Sequence, residues 1–284
     1  MENTEYLKPK DINELNLCMA EHKKRATVIA GGTNLIPDMR DGVKTPQLLV
    51  DVSDLPELAG IQLDDHKIRI GAATTIADIA ASSVIGEHLP ILAKAAGELG
   101  NPLTRNRATI GGNLANASPC ADTAPPLLAL EAAVHISDAG GKKQTVPMDK
   151  FFMGYKLTRL HRGDVMTHIT VPLPATKSRG GHTKLGLRKA ASICVASVAL
   201  MLLKEDNHIT KARIAFGSVA PQPIRAYELE ALLEGKTIND AVLSECDALV
   251  KKEISPIDDI RGTQSYRQAA TGAILRRNLL QAWS

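Results

Sequence analysis

Two pairs of adjacent glycines constrain this chain more than any other feature. Ala30-Gly31-Gly32-Thr33-Asn34-Leu35 follows the β-branched run Ala26 to Ala30. Thr109-Ile110-Gly111-Gly112-Asn113-Leu114-Ala115 continues through Asn116, Ser118, Pro119 and Asp122. Adjacent glycines admit positive φ and leave their amides bare of side chains. Successive bare amides form an anion-binding nest, and Thr33, Asn34, Thr109, Asn113 and Asn116 add neutral donors. Two such turns facing each other can clamp a diphosphate without a positive charge. Gly140-Gly141 and Gly180-Gly181 lack that company and read as plain turns. No two glycines are separated by a single residue, so the Rossmann G-x-G-x-x-G is absent. There is no G-x-x-x-x-G-K-[ST] either. A phosphate-binding chain with neither motif points to a different dinucleotide fold.

The remaining pattern supplies the frame. A length of 284 residues fits one large domain or two ordinary ones. Asp11 to Arg25 reads as a helix with Leu15, Cys18, Met19 and His22 on one stripe. Leu48 to Val52 reads as a strand, and Ile61 to Gly71 as a hairpin turning at Asp64-Asp65-His66. Thr75 and Asp78 approximate a capping box, and helical pattern resumes from Pro90 to Leu99. Gly100 to Ala117 reads as a loop. Asp122 to Glu131 is helical, with Pro125 and Pro126 tolerable in its first turn. A second hairpin spans Val134 to Pro147, and Val165 to Val171 is one more strand. Pro172 to Gly181 is the best linker candidate. Beyond it come two long strand-like runs, about 193–203 and 209–219, then helical stretches at about 223–234, 238–252 and 262–282. A larger α/β-type domain before about 176 and a smaller α+β domain after it follow from this.

Composition narrows the function. Eight aromatic residues cannot furnish a base-stacking surface for single-stranded nucleic acid. A net charge of +3 leaves no polybasic footprint for nucleic acid or anionic membrane. The longest mostly apolar run, Ile193 to Leu203, is half of the ~20 residues that a membrane span needs. The acidic start, Met1 to Glu5, does not resemble a signal peptide, so the expected location is cytoplasmic. Cys18, Cys120, Cys194 and Cys246 are widely spaced, which argues against zinc, an iron–sulfur cluster or a disulfide framework on this chain.

Taken together, A-G-G-T-N-L and T-I-G-G-N-L-A-N-A-S-P-C-A-D resemble the FAD-binding (medium) subunit of molybdenum hydroxylases, of the xanthine dehydrogenase and carbon monoxide dehydrogenase type. Tyr6-Leu7-Lys8-Pro9, Phe151-Phe152-Met153-Gly154-Tyr155-Lys156-Leu157-Thr158, Ala215-Phe216-Gly217-Ser218-Val219-Ala220 with Pro223 and Arg225, and Ser265-Tyr266-Arg267 extend the resemblance nearly end to end. It implies an α+β fold: a two-part vanillyl-alcohol-oxidase (PCMH-type) FAD-binding domain over 1–176, then a CO dehydrogenase flavoprotein-like domain over 177–284 with a small antiparallel sheet and helices. It implies that Ala30, Gly31, Gly32, Thr33, Asn34 and Leu35 hold the FAD diphosphate, together with Gly111, Gly112 and Asn113. Asn116 and Asp122 would hold the ribose and adenine end or its neighbouring loop. Ala108 and Thr109 would lie beside the flavin, and Lys184 near the isoalloxazine ring. Two departures stand out. Asn34 replaces a common Asp, and Ser192-Ile193-Cys194 replaces a common D-I-A.

The resemblance further implies partners: a [2Fe–2S] small subunit and a molybdopterin-binding large subunit, in a heterotrimer or a dimer of heterotrimers. Electrons would reach FAD from the iron–sulfur clusters and leave to NAD+ or another carrier. No catalytic residue and no metal ligand are then required of this chain. Lys184 or Arg188 is the candidate cation for the N1–C2=O edge of the reduced flavin. His135, His161, His168, His182 and His208 read as surface or turn residues, and Cys120 as packing. Tyr155 reads as anchoring a core strand, and Arg261, Arg267, Arg276 and Arg277 as a solvated helix face. A stand-alone FAD-dependent oxidoreductase of the same fold superfamily is the alternative, but no acid–base residue for a substrate pocket is evident. A scaffold that has lost FAD is disfavoured by the intact glycine turns.

Overall fold

A computed structural model describes residues 4–284; the N-terminal reading at Met1 to Asn3 lies outside the described residues. The chain begins with a small parallel sheet of three strands, in the order Glu5–Leu7, Leu48–Asp51, Ala26–Ile29. The helix Ile12–His22 packs on it through Leu15 and Met19, both fully buried against Leu48 and Val50. Asp11 caps that helix by accepting from the amides of Asn13 and Glu14, a contact worth about 1 kcal/mol.

A five-stranded antiparallel sheet follows, in the order Ile61–Asp64, Lys67–Gly71, Val165–Pro172, Ala133–Ser137, Lys143–Pro147. Alternation sends Ile68, Ile70, Val134, Ile136, Val146, Ile169 and Val171 to one face. There they meet Ile76, Ile79, Ile85, Ile91 and Leu92 from three short helices in one aliphatic core. The parallel and antiparallel sheets are the two parts expected of the first region.

The last part is a four-stranded antiparallel sheet, Ser178–Gly186, Cys194–Glu205, His208–Gly217, Ile224–Arg225. Its central strands are buried on both faces, which is why their sequences read as nearly unbroken apolar runs. Val198, Leu200, Ile214 and Phe216 face the helices Tyr227–Leu233, Asp240–Glu253 and Gln264–Trp283. Ala199 and Ala215 face the other way and join the larger core. The helix Ala124–Ala129, with Pro125 and Pro126 in its first turn, packs on that side.

Three local expectations are corrected. Gly100 to Ala117 is not an open loop: it holds the short helices Pro102–Arg105 and Ile110–Ala115, started by Asn101 and Thr109 as caps. The break between the last two sheets is confined to residues 173–177, because a strand already begins at Ser178. Gly180-Gly181 therefore lies within a strand rather than in a turn. A Cβ on Gly180 would lie 2.5 Å from Met201 Sδ and 3.0 Å from Ile91 Cγ2, and one on Gly181 3.3 Å from Asn278 Cβ, so both positions are closely packed.

Candidate functional site

The first glycine turn leaves the strand Ala26–Ile29 and enters the helix Leu35–Arg40. Gly32 takes φ +68°, open to glycine at no steric cost. A Cβ on Gly31 would collide with the carbonyl oxygen of Arg107, so the two glycine segments are in direct contact. The amides of Gly31, Gly32, Thr33 and Asn34 donate to no acceptor among the described residues. Asn34 occupies the cap position of its helix without using its side chain to cap it.

The second turn is built differently. Its amides are spent on the protein: Ile110 to Thr74 O (3.1 Å), Gly111 to Ala72 O (2.9 Å), Gly112 to Thr109 Oγ1 (3.1 Å) and Asn113 to Thr109 O (2.9 Å). Gly111 is glycine because a Cβ would sit 2.7 Å from the Ala72 carbonyl oxygen. The bare-amide nest expected at both turns exists only at the first. Gly112 remains exposed, and Asn113 is oriented by Thr123, whose hydroxyl donates to Asn113 Oδ1 at 2.7 Å.

Both turns line one cleft. A narrow end of about 220 Å³ runs along Thr27 to Leu35, Ala108, Thr109, Gly112, Asn113 and Asn116. A wide end of about 780 Å³ is bounded by Asn116, Asp122, Arg188, Ile193, Ser218 and Asp259, among others. Asn34, Leu99, Thr104, Asn113 and Asn116 belong to both ends, so the space is continuous. The cleft thus gathers Ala30 to Leu35, Ala108, Thr109, Gly112, Asn113, Asn116 and Asp122. Gly111 lies beneath its surface.

Lys184 does not line the cleft. It is nearly buried, and its ammonium donates to Asp122 Oδ2 at 2.9 Å and to the Glu98 carbonyl at 3.0 Å. Burial raises the Asp122 carboxyl to about 6, against the opposing pull of Lys184. Asp122 Oδ1 has no protein partner. Arg188 does line the cleft, with its guanidinium folded onto the carbonyl of Ala191 (2.6 Å).

Several residues at the site were read otherwise from sequence. Tyr155 is 63% exposed and stands at the cleft mouth, not in the core. The ribbon Phe152–Gly154 and Leu157–Thr158 is too short to bury its turn. Arg267 is 1% exposed and fully enclosed rather than on a solvated face. Its signal was the helix stripe it shares with buried Thr271, Ile274, Leu275, Asn278 and Leu279. His182 is also buried, 3.6 Å from Glu98, and desolvation depresses it to about 3. His135 and His168 stack on neighbouring strands with ring centroids 4.1 Å apart. Ser218, Asp259 and Arg261 also line the cleft, and no motif marked Asp259.

The donor set suits a dinucleotide diphosphate. Free neutral amides would meet the anion, amide and hydroxyl side chains flank them, and the carboxylates Asp122 and Asp259 lie toward the wide end. The wide end has room for a ring system.

Comparison with known proteins agrees with this geometry. The family described as the FAD binding domain in molybdopterin dehydrogenase matches residues 2–174, and the CO dehydrogenase flavoprotein C-terminal domain matches residues 182–282. The carbon monoxide dehydrogenase medium chain of Hydrogenophaga pseudoflava is 34% identical over 281 residues, covering 99% of this chain and 97% of its own. The xanthine dehydrogenase FAD-binding subunit of Escherichia coli O157:H7 is 30% identical, covering 86% and 84%. Among solved structures, carbon monoxide dehydrogenase from Hydrogenophaga pseudoflava superposes with a TM-score of 0.94 at 32% identity, covering 99% of this chain and 97% of that one. Quinoline 2-oxidoreductase from Pseudomonas putida 86 gives 0.91 at 27% identity, covering 99% and 96%. The chain therefore belongs to the FAD-binding subunits of the molybdenum hydroxylases: it is an oxidoreductase flavoprotein whose cofactor is FAD.

Proposed function

We propose that this chain is the electron-exit subunit of a molybdopterin-dependent hydroxylase or dehydrogenase. It would receive electrons from a [2Fe–2S] small subunit, itself supplied by a molybdopterin-binding large subunit, and deliver them to NAD+ or another acceptor. Flavin chemistry joins one-electron carriers to two-electron acceptors. The observation that carries this reading is the run of uncommitted amides from Gly31 to Asn34 at the floor of a two-ended cleft.

In this reading the Gly31 to Leu35 turn grips the diphosphate, with Ala30 behind it. Gly112 and Asn113 form the opposite lip, with Gly111 setting the approach of that lip. Ala108, Thr109 and Asn116 line the passage between the ends. Asp122 presents its unpartnered Oδ1 from the wide end, and Lys184 acts through Asp122 rather than by direct contact. The chain's own work is to bind, orient and exclude water; no residue of it needs to break a substrate bond. The FAD-binding unit ends near residue 176, and the second unit supplies the far wall. A cytoplasmic location completes the reading, consistent with four free thiols.

Expression with the two partner subunits tests this assignment. The expected product is a yellow complex whose flavin is reduced on adding the large subunit's substrate. Mixing NADH with the isolated flavoprotein reports the acceptor: rapid bleaching supports NAD+, and no bleaching assigns another carrier. A yellow chain that reduces its flavin with a substrate of its own, without partners, would favour the stand-alone oxidoreductase.

A further inference from the structure

Arg267 is the largest fully buried side chain among the described residues. A guanidinium is tolerated there only if its donors find acceptors. Nη1 donates to the carbonyls of Val195 (2.8 Å) and Ser218 (3.1 Å), and Nη2 donates to Asp259 Oδ1 at 2.6 Å. These acceptors lie in three different segments of the last unit. Ser218 and Asp259 are both part of the cleft's wide end.

The same acceptors are tied to the opposite wall. The Ser218 amide donates to the Pro119 carbonyl at 2.8 Å. Arg261 donates to Asp259 Oδ2 at 2.7 Å and reaches Cys120 Sγ at 3.5 Å. Ser218 holds φ +66°, a left-handed conformation that a non-glycine residue adopts only when its surroundings fix it. Burial works against the Asp259 carboxylate, but the hydrogen bonds from Arg261 and the charge of Arg267 outweigh it and hold the group ionised.

We infer that Arg267 is a positioning residue for the flavin: its forked guanidinium fixes Ser218 and Asp259, and so sets the fit of the cleft's second wall to the ring system. The inference rests on FAD occupying this cleft with its flavin ring toward the wide end, beside Asp122, rather than toward Ala108 and Thr109 as the resemblance implied. Lysine keeps the charge but cannot span three acceptors in one plane. The test is Arg267→Lys in the full chain, stripped of flavin and titrated with FAD. Flavin affinity, the shape of the bound flavin's visible bands and its reduction potential are compared with wild type. Asn278→Ala is the control. It alters a buried polar residue on the same helix stripe that is not among those lining the cleft, so it reports plain destabilisation.

The expected result is at least a tenfold weaker FAD affinity in R267K, with altered flavin bands and a shifted potential, while N278A loses thermal stability and keeps all three. R267K that is merely less heat-stable, with wild-type affinity, bands and potential, would overturn the inference and leave the functional reading intact. If R267K does not fold, Asp259→Asn decides by the same three measurements: the same losses support the inference, and wild-type values overturn it. A wild-type chain that takes up no FAD would overturn the functional reading, and this inference with it.

Discussion

The two glycine turns look alike in sequence and do different jobs. Around Gly31-Gly32 the amides are unspent, in a turn that lines the cleft; around Gly111-Gly112 every amide from Ile110 to Asn113 already has a protein acceptor. The first turn needs glycine to present donors. The second needs it so that a short helix can lie against the Ala72 backbone and stand opposite the first. A Gly-Gly pair with Asn close behind it therefore marks a place where backbones come close, and only hydrogen-bond accounting tells whether the neighbour is a ligand or the protein itself.

Substitutions break this comparison in order of expected size. Gly31→Ala strikes where the turns touch. Its methyl group would overlap the Arg107 carbonyl, and we expect a loss of more than ~3 kcal/mol in stability, together with flavin binding, by denaturant unfolding and absorbance.

Asp122 adds a pH signature next to the second turn. Its carboxyl is raised from 3.8 to about 6, so the native state holds an extra proton between those values. The resulting stability is present below pH 4 and is lost as pH rises through 6, by roughly 3 kcal/mol at most. Buried His182 has the opposite sign, since its depressed value costs stability as pH falls below 6.5. The melting temperature of wild type minus that of Asp122→Asn isolates the first effect: it should fall from pH 4 to pH 6.5. A flat difference would remove the carboxyl from the account.

Gly111→Ala should cost about 1–3 kcal/mol of stability through overpacking and, by shifting the lip that it supports, weaken FAD binding by less than Gly32→Ala does. Gly32→Ala should show the converse. It places alanine at φ +68° for about 1–2 kcal/mol, yet re-aims the free amides and weakens FAD binding at least tenfold. Equal effects of the two substitutions on affinity would collapse the distinction between the turns.

Much of the fold was legible because its strands and helices carry clean periods. Leu15 and Met19 mark one buried stripe, and Ile68 with Ile70 mark one sheet face. The two long strands after Cys194 were legible for another reason: burial on both faces leaves few polar interruptions. The candidate site was legible in its glycine and asparagine residues, whose chemistry is local. What stayed hidden depends on contacts across the chain. Arg267 finds its acceptors 72, 49 and 8 residues away. Lys184 reads as a cation for the flavin edge until Asp122, 62 residues earlier, is packed against it. Tyr155 belongs to a motif, but its exposure follows from the shortness of the ribbon that carries it. The helices within 102–115 were missed because each is a single capped turn or little more, too short for a period to show.

Amide hydrogen exchange in the flavin-stripped and FAD-loaded chain, resolved at 31–34 and 110–113, tests the difference between the turns most directly. The account predicts fast exchange at 31–34 that slows sharply once FAD binds, and protection at 110–113 that is already present without it. Unchanged exchange at 31–34 on loading, with new protection only at 110–113, would contradict it.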